Sequence, residues 1–196
     1  MTEKIAQRIS NYLVSLQVAS ADNREIIAYG LFHILSSGIQ IIILIATAWL
    51  FKNSLQILTF TLCFTSLKCY AGGVHARKHW SCLITFTVMA QTICLLCRCF
   101  PQNMALYFAI PVSALTLVLV VWKAPVTHPN NPKPKRKRKR YRKLAILIAT
   151  MQLVFTTIIC IFFPVGIGII FSGTLGELSA AITLILPMPP VRKEIT

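Results

Sequence analysis

The chain has 196 residues, 56% of them hydrophobic and only 13% charged, and twenty basic residues against five acids give a net charge of +15. Soluble domains carry roughly a quarter charged residues, so this composition excludes an ordinary soluble enzyme. The apolar residues come in runs of helix-spanning length, the pattern of an integral membrane protein. The length suits one domain, and no acid occurs between Glu25 and Glu177.

In chain order, the first 25 residues place Ile5, Ile9, Tyr12, Leu13 and Leu16 at helical spacing with Arg8, Asn11 and Ser15 between them. The spacing predicts a helix, read equally well as amphipathic on the membrane surface or as packed on a bundle. The next run is too long for a signal-peptide core, and no small-residue cleavage site follows it. Six apolar segments then follow: Ile26 to Phe51, Ser54 to Lys68, Leu83 to Cys97, Ala105 to Trp122, Leu144 to Phe163 and Val165 to Leu186. Pro164 stops the fifth, and Pro187, Pro189 and Pro190 stop the sixth. A span takes about 20 residues, with a range of about 17–25. The second and third segments reach that only if the flanks at Tyr70 and Ser81 are partly embedded.

Charge orients these segments. With six crossings and a cytoplasmic N-terminus, eighteen of the twenty basic residues fall inside, and only Lys52 and Arg98 fall outside. That is the positive-inside bias. A re-entrant second and third segment, leaving four true spans, satisfies the same rule. The expected fold is therefore all-α: a polytopic helical integral membrane protein with six transmembrane segments plus an N-terminal amphipathic helix. Residues 1–196 form a single membrane domain, divided into a surface helix (1–25), four apolar segments with a candidate catalytic loop at 69–82 (26–122), a basic cytoplasmic loop (123–143) and two last segments (144–190).

Within that basic loop, KPKRKRKRYRK, Lys133 to Lys143, has no apolar periodicity and reads as solvated. In isolation it looks like a nucleic-acid patch. In a membrane protein it fits a topology-fixing segment near anionic lipid better, so no nucleic-acid partner is expected. A more specific reading makes Lys135, Arg136, Lys137, Arg138, Lys139 and Arg140 a site for an acidic segment of a substrate.

The seven cysteines lie mostly inside apolar runs, where cysteine behaves as a small hydrophobe, and they form no secreted disulfide framework. Cys94, Cys97 and Cys99 lack a zinc-ligand spacing. No metal or other cofactor is expected, and no P-loop is present.

One polar stretch interrupts the apolar runs: CYAGGVHARKHWSCL, Cys69 to Leu83. Cys82 opens the third apolar segment. A helix N-terminus presents unpaired N–H groups and the positive end of the dipole. With Arg77, Lys78 and a histidine nearby, these features stabilise negative charge at its sulfur, so Cys82 is the best nucleophile candidate. Two histidines compete to be its base. His79, at i−3, shares a face with Cys82 on a continuous helix. His75, at i−7, lies about 10 Å along a straight helix, beyond the roughly 3 Å of a hydrogen bond. His75 therefore serves Cys82 only if the backbone folds back, which Gly72-Gly73 permits. The plain alternative is a solvated loop with an inert cysteine.

The motif GGVHARKHWSC, Gly72 to Cys82, resembles the AgrB family of accessory gene regulator proteins, in which a Gly-Gly-x-His-Ala segment is followed by a cysteine seven residues after the histidine. The polytopic layout, amphipathic start and length are similar too. The resemblance implies a membrane cysteine peptidase and cyclase, with Cys82 as nucleophile and His75, rather than His79, as base. It implies an AgrD-like precursor peptide whose C-terminal part is removed through a thioester. An internal thiol or hydroxyl then releases a cyclic thiolactone or lactone for quorum sensing. It also implies a homodimer in the bacterial cytoplasmic membrane, with both termini and the active site cytoplasmic. Gly72 and Gly73 are supporting candidates.

Glu177 is the one acid inside an apolar run, and an intramembrane acid is a functional candidate. It is weighed as a supporting residue, as a partner for Lys68, or, in the favoured reading, as a structural contact beside Gly173 and Gly176, where helices approach closely. Gln40, Gln91 and Gln152 read as interhelical hydrogen-bonders. His33 and His128 show no partner. The rival class is a non-enzymatic membrane binding protein or small transporter, built on those intramembrane polar residues.

Overall fold

The structure, a computed structural model, describes residues 2–18, 20–74, 79–126, 135–162 and 166–187. Among these, the ordered elements are seven α-helices and one short 3-10 turn: α1 (Thr2–Ser15), the turn (Ala21–Asn23), α2 (Arg24–Leu50), α3 (Ser54–Ala71), α4 (His79–Cys99), α5 (Gln102–Lys123), α6 (Lys135–Phe162) and α7 (Ile167–Ile182). They fall into two compact units, Met1–Leu50 and Phe51–Thr196.

In the first unit, α1 packs on α2. It does so through Thr2, Ala6 and Ser10, which are buried, and the Ser10 hydroxyl donates to the Arg24 carbonyl at 2.7 Å. The large residues Ile5, Ile9, Tyr12 and Leu16 are left exposed. Both readings of the helix thus hold in part. It packs through its small residues, and it keeps an apolar stripe on another face, as a helix meeting a lipid surface does.

The second unit is inside-out in the same sense. On α5 the buried residues are Ala105, Ala109, Ser113, Thr116 and Val120, whereas Met104, Tyr107, Leu115, Val118 and Trp122 are exposed. On α6, Ala145, Ala149, Thr156 and Cys160 are buried and Met151, Phe155 and Ile161 are exposed. Exposed apolar area on this scale would drive a soluble protein to aggregate. In a bilayer the driving force is close packing of small residues, and large apolar side chains are left to the lipid.

Four helices are long and apolar enough to cross a membrane: Arg24–Leu50, Trp80–Cys99, Gln102–Lys123 and Arg138–Phe162. Of the six expected spans, α3 and α7 do not meet that test. Helix α3 carries Gln56, Thr59, Thr61, Thr65, Ser66 and Lys68 among its 18 residues, and α7 has 16 residues. These two form the centre. Helix α7 touches α3, α4, α5 and α6, and its buried residues include Phe171, Gly173, Thr174, Gly176, Glu177, Ala180 and Ala181. A helix surrounded by protein need not be apolar enough to face lipid, so polar residues survive there.

Helices α3, α5 and α7 run one way, and α4 and α6 the other. One end gathers Leu67, Ala71, Val120, Ala124, Ala145, Ala149, Ala181 and Leu184, and the opposite end gathers Cys97, Ala105, Ala109, Cys160, Ile167 and Phe171. A Cβ on Gly176 would sit 2.5 Å from the Phe60 carbonyl oxygen, and one on Gly173 would lie 3.2 Å from the Cys63 sulfur. The two glycines are the close approach of α7 to α3, as expected. Of the three glutamines expected to bond between helices, Gln91 and Gln152 do so. Asn53 Nδ2 donates to Gln91 Oε1 at 2.9 Å, and Gln152 Nε2 donates to the Cys63 carbonyl and the Ser66 hydroxyl, each at 3.1 Å.

The basic run departs from its loop reading. From Lys135 onward it is helical and forms the first turns of α6. Its cations therefore crowd the positive end of a helix dipole, an electrostatically unfavourable place that an anion would relieve.

Candidate active site

Five chain segments meet at one end of the second unit. Helix α3 ends at Gly72, whose N–H donates to the Lys68 carbonyl at 3.0 Å. Beyond it the backbone is extended and clamped on two sides. Val126, just past α5, donates its N–H to the Ala71 carbonyl at 2.9 Å, and Gly72 and Val126 form an isolated parallel bridge. Val74 donates its N–H to the carbonyl of Thr183, at the end of α7, at 3.0 Å.

Glycine is required twice here. Gly72 has φ 79° and Gly73 has φ 114°, a region that side chains disfavour. Neither has room for a Cβ: on Gly72 it would collide with the Val126 carbonyl oxygen, and on Gly73 with the Thr183 hydroxyl, with the Thr183 carbonyl oxygen 3.0 Å away. Sequence reading gave Gly72-Gly73 the role of a flexible joint. In the fold it is a fixed crossing between two neighbours. Gly73→Ala is expected to displace Val74 from Thr183, cutting processing by at least about tenfold and stability by about 1–3 kcal/mol. Precursor turnover and a melting curve in detergent check both numbers.

The side chain that seals this crossing is Lys68, the one charged residue of α3. Its ammonium donates to the Val74 carbonyl at 3.0 Å and to the Thr183 hydroxyl at 2.9 Å, and lies 5.6 Å from the centroid of the Phe64 ring. Cys82 lies in the first turn of α4 and is half-buried, with a free thiol. Leu83 behind it is buried, and Trp80 and Ser81 before it are exposed. The position matches the expected helix N-terminus.

The other cysteines are placed differently. Cys94, Cys97 and Cys160 are buried, Cys63 is half-buried within α3, and Cys69 and Cys99 are exposed. Among the described residues, no three potential metal ligands come together.

Not every expected site residue falls within the description. His75, Arg77 and Lys78 lie outside the described residues, as does His128, and of His79 the backbone alone is described, as the first residue of α4. In the basic run, Arg138, Lys139 and Arg140 are exposed on α6, while Lys135, Arg136 and Lys137 are described by backbone only. Helix α6 joins the site end through Arg142, which donates to the Val121 carbonyl at 3.2 Å, and through Tyr141, whose ring centroid is 6.0 Å from that of Tyr70.

Glu177 is buried in the middle of α7. Cys63 and Ser113 face it, but neither carboxylate oxygen has a hydrogen-bond partner among the described residues. Lys68 is engaged with Thr183, six residues further and about 9 Å along the helix. Glu177 follows Gly176 directly, in the stretch of α7 that approaches α3 closely. His33, in α2, stacks edge-on to Tyr29 with centroids 4.4 Å apart. Sequence reasoning had not singled out Lys68 and Thr183 as a pair. A lone cation ending an apolar helix was the available signal for the first, and nothing marked the second.

These helices, apolar outside and polar at their centre, define a multi-spanning helical membrane protein with a cysteine-bearing polar cluster at one end. The family model of accessory gene regulator B (AgrB) matches residues 2–185 of the chain, which belongs to that family. Membership supports the general function that the motif implied, processing of an AgrD-type precursor in quorum sensing. Comparison with curated proteins and with solved structures gives no match.

Proposed function

We propose that the protein is a membrane-embedded cysteine endopeptidase and cyclase, with Cys82 as nucleophile and His75 as base. The observation that carries this reading is the placement of Cys82, half-buried in the first turn of α4, with the clamped Gly72–Val74 segment leading directly into His75 seven residues before it. A fixed segment on the N-terminal side of His75 supports this reading, because it gives the chain entering His75 a defined starting point.

The chemistry follows from these two groups. The Cys82 sulfur gives its proton to His75 and adds to the scissile carbonyl. Collapse of the tetrahedral adduct breaks the C–N bond, the leaving amine takes the proton from His75, and a Cys82 thioester remains. A thiol or hydroxyl within the bound peptide loses its proton to His75 and attacks the thioester. The C–S bond breaks, the sulfur recovers a proton, and a cyclic thiolactone or lactone is released. The thioester conserves the acyl-transfer potential of the peptide bond, so ring closure needs no nucleotide. The site must also hold water away from the thioester.

Within this reading residues 1–196 work as one membrane domain with six membrane segments in a bacterial cytoplasmic membrane, termini and site facing the cytoplasm, as a homodimer. The exposed cations Arg138, Lys139 and Arg140, with Lys135, Arg136 and Lys137 before them, take an acidic end of the precursor. Their position at the N-terminus of α6 supports that role, because the helix dipole adds to their attraction for an anion. Replacing all six by glutamine is expected to weaken precursor binding to liposomes about tenfold or more at low ionic strength, and far less at high salt. Equal binding at low salt, with topology intact, overturns this role.

The reading itself is tested by intact-protein mass spectrometry after brief incubation with precursor. An acyl adduct on Cys82 is expected. Cleavage proceeding through no adduct, and surviving Cys82→Ala, ends it.

A further inference from the structure

We propose that the cleft between α1 and α2 is a phospholipid headgroup site, selective for a headgroup that carries a primary ammonium beside its phosphate. This site is independent of the Cys82 chemistry, because it lies wholly in the first unit.

The cleft has a volume of about 630 Å³, and its lining includes Glu3 and Gln7 of α1 and Arg24, Glu25, Tyr29 and Phe32 of α2. Small-ligand sites span about 300–1,000 Å³. Helical spacing builds both walls: Glu3 and Gln7 stand one turn apart on α1, as do Glu25 and Tyr29 on α2. The exposed apolar residues of α1, Ile5, Ile9, Tyr12 and Leu16, recur on a different side of that helix. The cleft is therefore the polar side of the helix pair. The Ser10 hydroxyl, bonded to the Arg24 carbonyl at 2.7 Å, ties the two walls together where α2 begins.

Charge selects the ligand. Residues 1–50 hold three acids, Glu3, Asp22 and Glu25, against three basic residues, whereas the rest of the chain holds two acids against seventeen. Two of those three acids line the cleft, so it attracts a cation in a chain that elsewhere repels one. Arg24 lines it too, and among the described residues no ion pair joins its guanidinium to either carboxylate. Opposite charges facing one cleft without pairing fit a zwitterion. An ammonium takes the carboxylates of Glu3 and Glu25, with the Tyr29 and Phe32 rings beside it. A phosphate takes Arg24, where the start of α2 adds unpaired N–H groups. A basic peptide would use the carboxylates but bring like charge against Arg24.

Depth points to a lipid as the source of this headgroup. From Ile26 to Leu50, α2 contains no Lys, Arg, Asp or Glu, and it is long and apolar enough to cross a membrane. Arg24 and Glu25 thus stand where the polar chain gives way to the span, at the level of the headgroups. Tyr29, one turn further, is the kind of aromatic that marks this boundary. Ile26 and Ile34 are exposed on the same helix and offer apolar surface to the acyl chains.

The test uses full-length protein in detergent micelles containing one of three phospholipids with identical acyl chains, and counts retained lipid by native mass spectrometry. Phosphatidylethanolamine has the ammonium. Phosphatidylcholine keeps the charge but has no N–H, and phosphatidylglycerol has no ammonium. Wild type is expected to retain phosphatidylethanolamine about tenfold or more better than the other two. Glu3→Gln combined with Glu25→Gln is expected to remove that preference, whereas Asp22→Asn, an exposed acid outside the lining, keeps it. Arg24→Gln is expected to lower retention of phosphatidylethanolamine and phosphatidylcholine alike. Equal retention of the three lipids by wild type, or a preference that survives the double substitution, overturns the proposal. Displacement of the lipid by a short lysine-rich peptide overturns it as well, since the cleft would then be a basic-peptide site. Glu3 and Glu25 are exposed, so their substitution spares the helix packing. If the double variant nevertheless melts early, each single substitution carries the same comparison.

Discussion

Cys82→Ala is expected to abolish both the acyl adduct and precursor cleavage, His75→Ala to reduce cleavage at least about 100-fold, and His79→Ala to retain it. The first effect is total because no other cysteine replaces the sulfur. Cys94, Cys97 and Cys160 are buried, and Cys63 lies within α3 facing Glu177, inside the bundle. Cys69 is exposed, but it belongs to the last turn of α3, not to a helix N-terminus. The second effect follows from the usual contribution of a positioned proton-transfer group, about 10²–10⁴-fold. The third separates the two histidines, since His79 belongs to α4 itself whereas His75 follows the clamped segment. Mass spectrometry of precursor incubated with each variant in liposomes gives all three results. Loss with His79→Ala and survival with His75→Ala would reassign the base. A thiol added at another position is not expected to rescue Cys82→Ala.

Gly176→Val is expected to cause the largest loss of stability. Its Cβ would sit 2.5 Å from the Phe60 carbonyl oxygen and 3.1 Å from the Phe60 Cα. These are backbone atoms of a neighbouring helix and cannot rotate away, so α7 must separate from α3 along their whole contact. Overpacking of this sort costs about 1–3 kcal/mol and more where nothing yields. The same separation would pull Thr183 from Lys68 and Val74, so processing falls with stability. Two graded controls make the number interpretable. On Gly173 a Cβ would meet the Cys63 sulfur at 3.2 Å, and on Gly168 it would have the Cys97 carbonyl oxygen at 3.7 Å, an ordinary contact. Thermal unfolding in detergent should rank Gly176→Val far below Gly173→Ala, with Gly168→Ala close to wild type. Equal melting of all three would mean that α3 and α7 do not pack as described.

The apolar segments were legible because a bilayer demands long apolar runs, and their order along the chain is also their helical order. Boundaries moved outward for α3, α4 and α5 and inward for α7. Helix α3 extends to Ala71 and α4 starts at His79, because caps and interfacial turns are helical without being apolar. The basic run reads as a loop in the sequence because a densely charged helical turn has no hydrophobic period to reveal it. Which helices sit in the centre was not legible either. A periodic pattern marks one face against water, whereas here the outer faces of α5 and α6 are as apolar as the inner ones, and small residues mark the inside, Ala105, Ala109, Ser113 and Ala149 inward against Tyr107 and Phe155 outward.

The sequence by itself determined that the chain lives in a membrane, where its charges lie, and that Cys82 opens a helix after a glycine-rich polar stretch. Those properties reside in single residues and their spacing, which any fold of the chain must keep. The tertiary structure decided that α7, more than one hundred residues downstream of α3, lies against it and ends at the Gly73 crossing. It also decided that the ammonium of Lys68 bridges Val74 and Thr183. Contacts at that separation depend on how five helices pack around one another, and no local pattern in Lys68, Gly73 or Thr183 encodes it.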